Sequence, residues 1–124
     1  MIFKENNKAI NLQIADMICD QVLAGTLAAG ARIPSVREYA ASLEVNANTV
    51  MRSYDHLERL GVIFNKRGVG FFICDDAMQK VSAEKKQTFL NEETDYFFRQ
   101  LMLLGITPKE IGMMYENYLK TNKS

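Results

Sequence analysis

The sequence predicts a mostly α-helical chain that carries one small β hairpin, and three observations lead there. Ile33–Ile63 reads as two helices joined by a tight turn. A glycine-punctuated, apolar-flanked hairpin spans Val62–Cys74. Beyond Asp75-Asp76 the composition shifts to long helical patterns rich in Phe, Tyr, Met and Leu. The second helix of the pair has a polar, partly basic face, and the hairpin follows it directly. Together they have the form of a winged helix-turn-helix, built to enter the DNA major groove.

The first helix rests on Ile10, Ile14, Ile18 and Val22, which recur every four residues with Met17 beside them. Gly25 suits its stop. Thr26–Arg32 is a short connection leading to Pro34. Ser35 is an N-cap candidate with Glu38 three residues on, a capping box that starts the second helix. Val36, Tyr39, Ala40 and Leu43 form its inner face, and Glu44-Val45 makes the turn. Asn46 caps a third helix over Ala47–Leu60, stopped by Gly61. At 100° per residue, Val50, Tyr54 and Leu57 face the core, while Asn48, Arg52 and Arg59 face away with Asp55 and His56 flanking them. Thr49 and Ser53 lie at one edge.

Val62–Asn65 and Phe71–Cys74 are β-rich runs separated by Lys66-Arg67-Gly68-Val69-Gly70. Two cations at such a tip suit a wing that touches phosphate or enters the minor groove. Past the Asp75-Asp76 boundary, Met78–Leu104 reads as one long helix without internal Gly or Pro, stopped by Gly105. Thr107-Pro108-Lys109-Glu110 opens a further helix with proline at N1 and a second capping box. Ile111, Met114, Tyr115, Tyr118 and Leu119 are its apolar stripe, and Thr121–Ser124 should fray. Two helices are too short for a core of their own, so Phe89, Phe97, Phe98, Leu101 and Leu104 are expected to bury against a second copy of the chain. The alternative for the same aromatics is a pocket for a small-molecule effector. The expected domains are a winged helix-turn-helix over 1–75 and a helical dimerisation tail over 76–124.

Composition bounds the function. A chain of 124 residues holds one modest core, or a small domain with an oligomerisation arm. An apolar content of 48% argues against disorder. No apolar run reaches about 18 residues, so no membrane-spanning helix is expected. Met1–Lys8 is polar and lacks the apolar region of a secretion signal, which points to the cytoplasm. Charge is balanced at 15 basic and 15 acidic residues. Residues 1–74 hold 8 basic and 7 acidic, a difference of +1, and residues 75–124 hold 7 and 8, a difference of −1. Any DNA-binding charge must therefore be local, and dimerisation has to supply part of the affinity.

Cys19 and Cys74 have no metal-site spacing and read as reduced, partly buried thiols, with a redox switch as the alternative. The single His56 has no cysteine or second histidine near it, so no metal site is expected. There is no nucleophile set, phosphate-binding glycine loop or metal constellation to support an enzyme, and no cofactor is expected.

The pattern from Ile10-Asn-Leu-Gln-Ile14 through Ile33-Pro-Ser-Val-Arg-Glu38, Val45-Asn-Ala-Asn-Thr-Val50, Arg52-Ser-Tyr54, Leu57-Glu-Arg-Leu-Gly61 and Arg67-Gly-Val-Gly-Phe71 resembles the GntR family of bacterial transcription regulators. The combination of Pro-Ser-Val-Arg-Glu with Asn-x-Asn-Thr-Val-x-Arg-x-Tyr, and the short tail, are most similar to its YtrA-like branch. The resemblance covers residues 10–74. It implies a winged-helix homodimer on a palindromic double-stranded DNA operator, usually a repressor, often of transporter operons. It carries DNA-contact roles onto Ser35 and Arg37, onto Asn46, Asn48, Thr49 and Arg52, and onto Arg67 and Gly68. Ser53 and Lys66 join them from their places on the third helix and the wing. Three positions depart from the family pattern: Glu44 stands where Gly is common, Ala47 where Pro is frequent, and Met51 where some branches place a base-reading Arg. The competing reading is a winged helix that docks on a protein. Clustered cations on one expected face argue against it, and salt-sensitive DNA affinity separates the two.

Overall fold

The computed structural model describes residues 8–122, and those residues form six α-helices and three short strands. Their order is α1 (Ile10–Leu23), β1 (Arg32–Ile33), α2 (Val36–Leu43), α3 (Ala47–Leu60), β2 (Ile63–Lys66), β3 (Gly70–Ile73), α4 (Ala77–Thr88), α5 (Thr94–Leu103) and α6 (Pro108–Thr121). Phe89–Glu93 forms a π-turn between α4 and α5. The described residues divide into two compact units between Glu84 and Lys85.

The first unit is built on α1, α2 and α3 closed by the sheet. Ile14, Ile18 and Val22 of α1, Ala40 and Leu43 of α2, and Val50, Tyr54 and Leu57 of α3 are all buried, as their spacing predicts. Ile33, Ile63 and Ile73 supply the sheet's share of this core. Tyr54 is at its centre. Its ring meets Phe71 of β3 edge-on at 4.9 Å between centroids. Its hydroxyl donates to the Pro34 carbonyl at 2.6 Å. A buried phenol with its O–H satisfied keeps both the apolar area and the polar tip favourable.

The sheet is larger than a hairpin. β1 pairs antiparallel with β3, giving the order β1-β3-β2 with Ile33 opposite Phe71 and Lys66 opposite Gly70. β1 has only two residues, too few to show an alternation. The unit also extends past Asp75-Asp76, because Ala77 and Val81 on the first turns of α4 are buried in the same core.

In the second unit, α5 and α6 are bounded by local chemistry. Gly105 closes α5 in a left-handed conformation, with its N–H on the Met102 carbonyl and that of Ile106 on Leu101. Thr107 and Glu110 form the expected capping box, with Pro108 inside the first turn of α6. The single long helix expected over Met78–Leu104 is interrupted by the π-turn, where the Thr94 hydroxyl donates to the Leu90 carbonyl at 2.6 Å. No glycine or proline marks it. α6 stays helical through Thr121, where fraying was expected to begin, while Lys123 and Ser124 lie outside the described residues, as does most of the polar start Met1–Lys8. Among the described residues no helix is long and apolar enough to cross a membrane.

Candidate nucleic-acid interface

Two capped helices and a hairpin place the candidate residues. At the start of α2, the Ser35 hydroxyl accepts from the Glu38 N–H while the Glu38 carboxylate accepts from the Ser35 N–H, both at 3.1 Å. The Ser35 N–H foremost, then its hydroxyl, hold the Glu38 carboxyl below its usual range; burial opposes them, and the Arg32 charge adds least. Arg37 is exposed on the same first turn.

The turn into α3 is a complete Schellman motif. Glu44 is left-handed at φ 58° and ψ 44°, its N–H bonds the Ala41 carbonyl, and the Val45 N–H bonds Ala40. Among the described residues Glu44 is the one non-glycine with positive φ. That explains why glycine is common at this point in the family: a Cβ is a liability there. Asn46 then caps α3, its Oδ1 accepting from the Asn48 N–H at 2.8 Å. This anchors the oxygen and leaves the amide NH2 outward. Ala47 enters the helix without a proline.

Asn48 and Arg52 are exposed and Thr49 is half-buried, all on the N-terminal half of α3 that a groove-entering helix presents. Ser53 is different. It is fully buried, and its hydroxyl donates to the Asn11 carbonyl of α1 at 2.6 Å and to the Thr49 carbonyl at 3.1 Å. The expectation that Ser53 contacts DNA is therefore corrected. Its place at the edge of α3 falls under α1, and it ties the two helices together.

The wing tip is Arg67-Gly68-Val69 between the paired Lys66 and Gly70. Gly68 adopts φ 77°, the conformation the tight connection requires, and the Val69 N–H returns to the Lys66 carbonyl at 2.9 Å. Lys66, Arg67 and Gly68 are all exposed. Arg32, which in the sequence is the last residue of the Thr26–Arg32 connection, also belongs here. It is exposed on β1, and a Cβ built on Gly70 would lie 3.0 Å from its Nε, so its guanidinium lies against the root of the wing. The available signal was its position two residues before Pro34. Among the described residues, Arg32, Arg37, Arg52, Lys66 and Arg67 make no salt bridge, and the charges of Arg37, Arg52, Lys66 and Arg67 are uncommitted.

Other candidate sites are poorer. No group of three or more metal-binding side chains exists among the described residues. Burial foremost, then Asp76, pushes the Cys74 thiol up, which opposes thiolate chemistry there. A cavity of about 300 Å³ opens in the first unit beside Val22, Leu27, Cys74 and Met78, and none of the tail's aromatics lines it. Those aromatics stand in solvent in this single chain. Phe89, Phe97, Phe98 and Leu104 are between 49% and 69% exposed, with Leu101 partly covered.

Comparison with known proteins agrees with this geometry. The model of the family described as bacterial regulatory proteins, gntR family, matches residues 10–73. The HTH-type transcriptional regulator YhcF of Bacillus subtilis is 38% identical over 107 residues, covering 86% of this chain and 87% of that protein. The HTH-type transcriptional repressor YtrA of the same organism is 37% identical over 81 residues, covering 65% of this chain and 62% of that protein. A crystal structure of a transcriptional regulator of the GntR family from Bacteroides thetaiotaomicron superposes with a TM-score of 0.79 at 52% identity, covering 91% of this chain and 98% of that one. A family match across the whole of the reading head, and relatives that run alongside it into the tail, place the chain in the GntR family of bacterial DNA-binding transcription regulators, in its YtrA-like branch.

Proposed function

We propose that the chain is a homodimeric repressor that occupies a palindromic operator in double-stranded DNA. The observation that carries this reading is the set of uncommitted cations and amides on capped, core-anchored elements: Arg37 on α2, Asn48 and Arg52 on α3, Lys66 and Arg67 on the wing. Asn48 and Thr49 read base edges, and Arg52 reads a guanine or holds a phosphate, the guanidinium fork suiting either. Ser35, Arg37, Asn46 and the wing, with Gly68 allowing close backbone approach, hold the phosphates. Arg32 adds charge at the wing root.

Balanced net charge makes a single copy a weak binder, so two copies are needed on one duplex. The exposed Phe89, Phe97, Phe98 and Leu104, with the partly covered Leu101, supply the surface that joins them, and so many large apolar side chains left in solvent on one short segment mark an interaction site. Repression is by occupancy, with the dimer covering promoter DNA. Footprinting on the DNA upstream of the chain's own gene tests the reading. Protection of two half-sites is expected, and Arg52→Ala should weaken it by about 1–3 kcal/mol. Sedimentation of the full chain should give a dimer at micromolar concentration, and Phe98→Glu combined with Leu104→Glu a monomer. A monomeric parent chain, or binding insensitive to salt, would overturn it.

A further inference from the structure

Resting on that DNA-binding reading, we infer that Met51 is a specificity-determining residue that recognises the C5-methyl group of a thymine in each half-site. Met51 lies on the second turn of α3 and is 47% exposed, between Val50 in the core and the exposed Arg52. At 100° per residue it stands about 60° around the axis from Asn48, on the same exposed side of the helix. The inner positions of α3 are filled by Val50, Ser53, Tyr54 and Leu57, so the core makes no demand for Met51.

A large apolar side chain amid amides and cations has a narrow choice of partners on DNA. A thioether donates no hydrogen bond and accepts only weakly, so it neither holds a phosphate nor reads the polar edge of a base. The thymine methyl is the apolar group on the major-groove edges of the bases, and it is read by apolar contact. A flexible, unbranched chain of methionine's length adapts to cover it. Where an arginine at this position favours guanine, methionine shifts the preference to thymine.

The test uses the full chain and duplexes enriched from a fully randomised library. Each thymine of the enriched sequence is replaced singly by deoxyuridine, which keeps the pairing edge and removes only the methyl. One thymine per half-site is expected to cost about fourfold in affinity when replaced, the worth of one buried methyl-sized group. Met51→Ala, which removes the contact from both half-sites, should lose about the square of that factor, roughly 16-fold, on the thymine duplex and be indifferent to the replacement. Met51→Arg should enrich guanine at the same position. Parent binding unchanged by deoxyuridine at every position overturns the assignment, as does a Met51→Ala protein that stays equally sensitive or a Met51→Arg protein that still enriches thymine. A parent chain that enriches no sequence overturns the DNA-reading proposal and this one together. Enrichment without methyl dependence overturns this one alone.

Discussion

The wing offers the sharpest quantitative prediction. Lys66 closes β2 and Arg67 leads the tip, both exposed and neither in a salt bridge among the described residues. Replacing both with alanine removes up to about four phosphate contacts from a dimer. Each lost contact flattens the slope of log affinity against log salt by about 0.9, so the slope should fall by up to about 3.6. Between 50 and 200 mM salt the parent should then lose about 150-fold more affinity than the double variant. Fold stability should change by less than about 0.5 kcal/mol, since both side chains are solvated. The assay is fluorescence anisotropy on operator and scrambled duplexes across a salt series. Preference for operator over scrambled DNA should change far less than affinity. An unchanged slope would refute the phosphate role, and a collapse of preference at unchanged slope would mean that the wing reads bases.

Three further outcomes follow from local geometry. Ser53→Ala should destabilise the chain by about 0.5–1.5 kcal/mol, because the α1–α3 hydrogen bond is lost, with operator affinity unchanged in a binding titration. A large affinity loss at unchanged stability would refute its buried role. Glu44→Gly should stabilise by up to about 1 kcal/mol in denaturant melts, since relief of left-handed strain exceeds glycine's added chain entropy; a lower midpoint would refute this. The Glu38 carboxyl is depressed in the folded state, so its stabilising contribution is complete above the usual carboxylate range and is lost as pH falls through the lowered value. Glu38→Gln should flatten that acid limb, and an identical limb in the variant would count against the assignment.

Elements specified by nearby residues were legible in the sequence. The capping boxes at Ser35–Glu38 and Thr107–Glu110, the Asn46 cap, the Gly61 stop and the buried Val50, Tyr54 and Leu57 stand as their spacing required. What was hidden depended on distant partners or on geometry without a sequence marker. Ser53 takes its role from the Asn11 carbonyl, 42 residues away, which periodicity on α3 alone cannot reveal. β1 exists because β3 offers it hydrogen bonds, and Arg32 comes to the wing root with it. The π-turn is accompanied by a Thr94 hydroxyl bond to the Leu90 carbonyl. Thr94 gives no more signal than any threonine in a polar stretch.

Tyr54 has a consequence for how such a protein is switched. One side chain joins α3 to the segment before α2 through the Pro34 carbonyl and to the wing through Phe71, with Tyr39 of α2 at 6.2 Å on another side. The three elements proposed to meet DNA are riveted through a single buried ring, and a close-packed interior of this kind does not deform by small degrees. A signal that released DNA by bending one reading element would have to break the rivet and unpack the core. A signal that changed the distance or angle between two such heads would break nothing inside either. On the dimer proposed above, regulation belongs to the spacing of the pair, and an inducer would be sought by its effect on half-site spacing preference rather than on base preference.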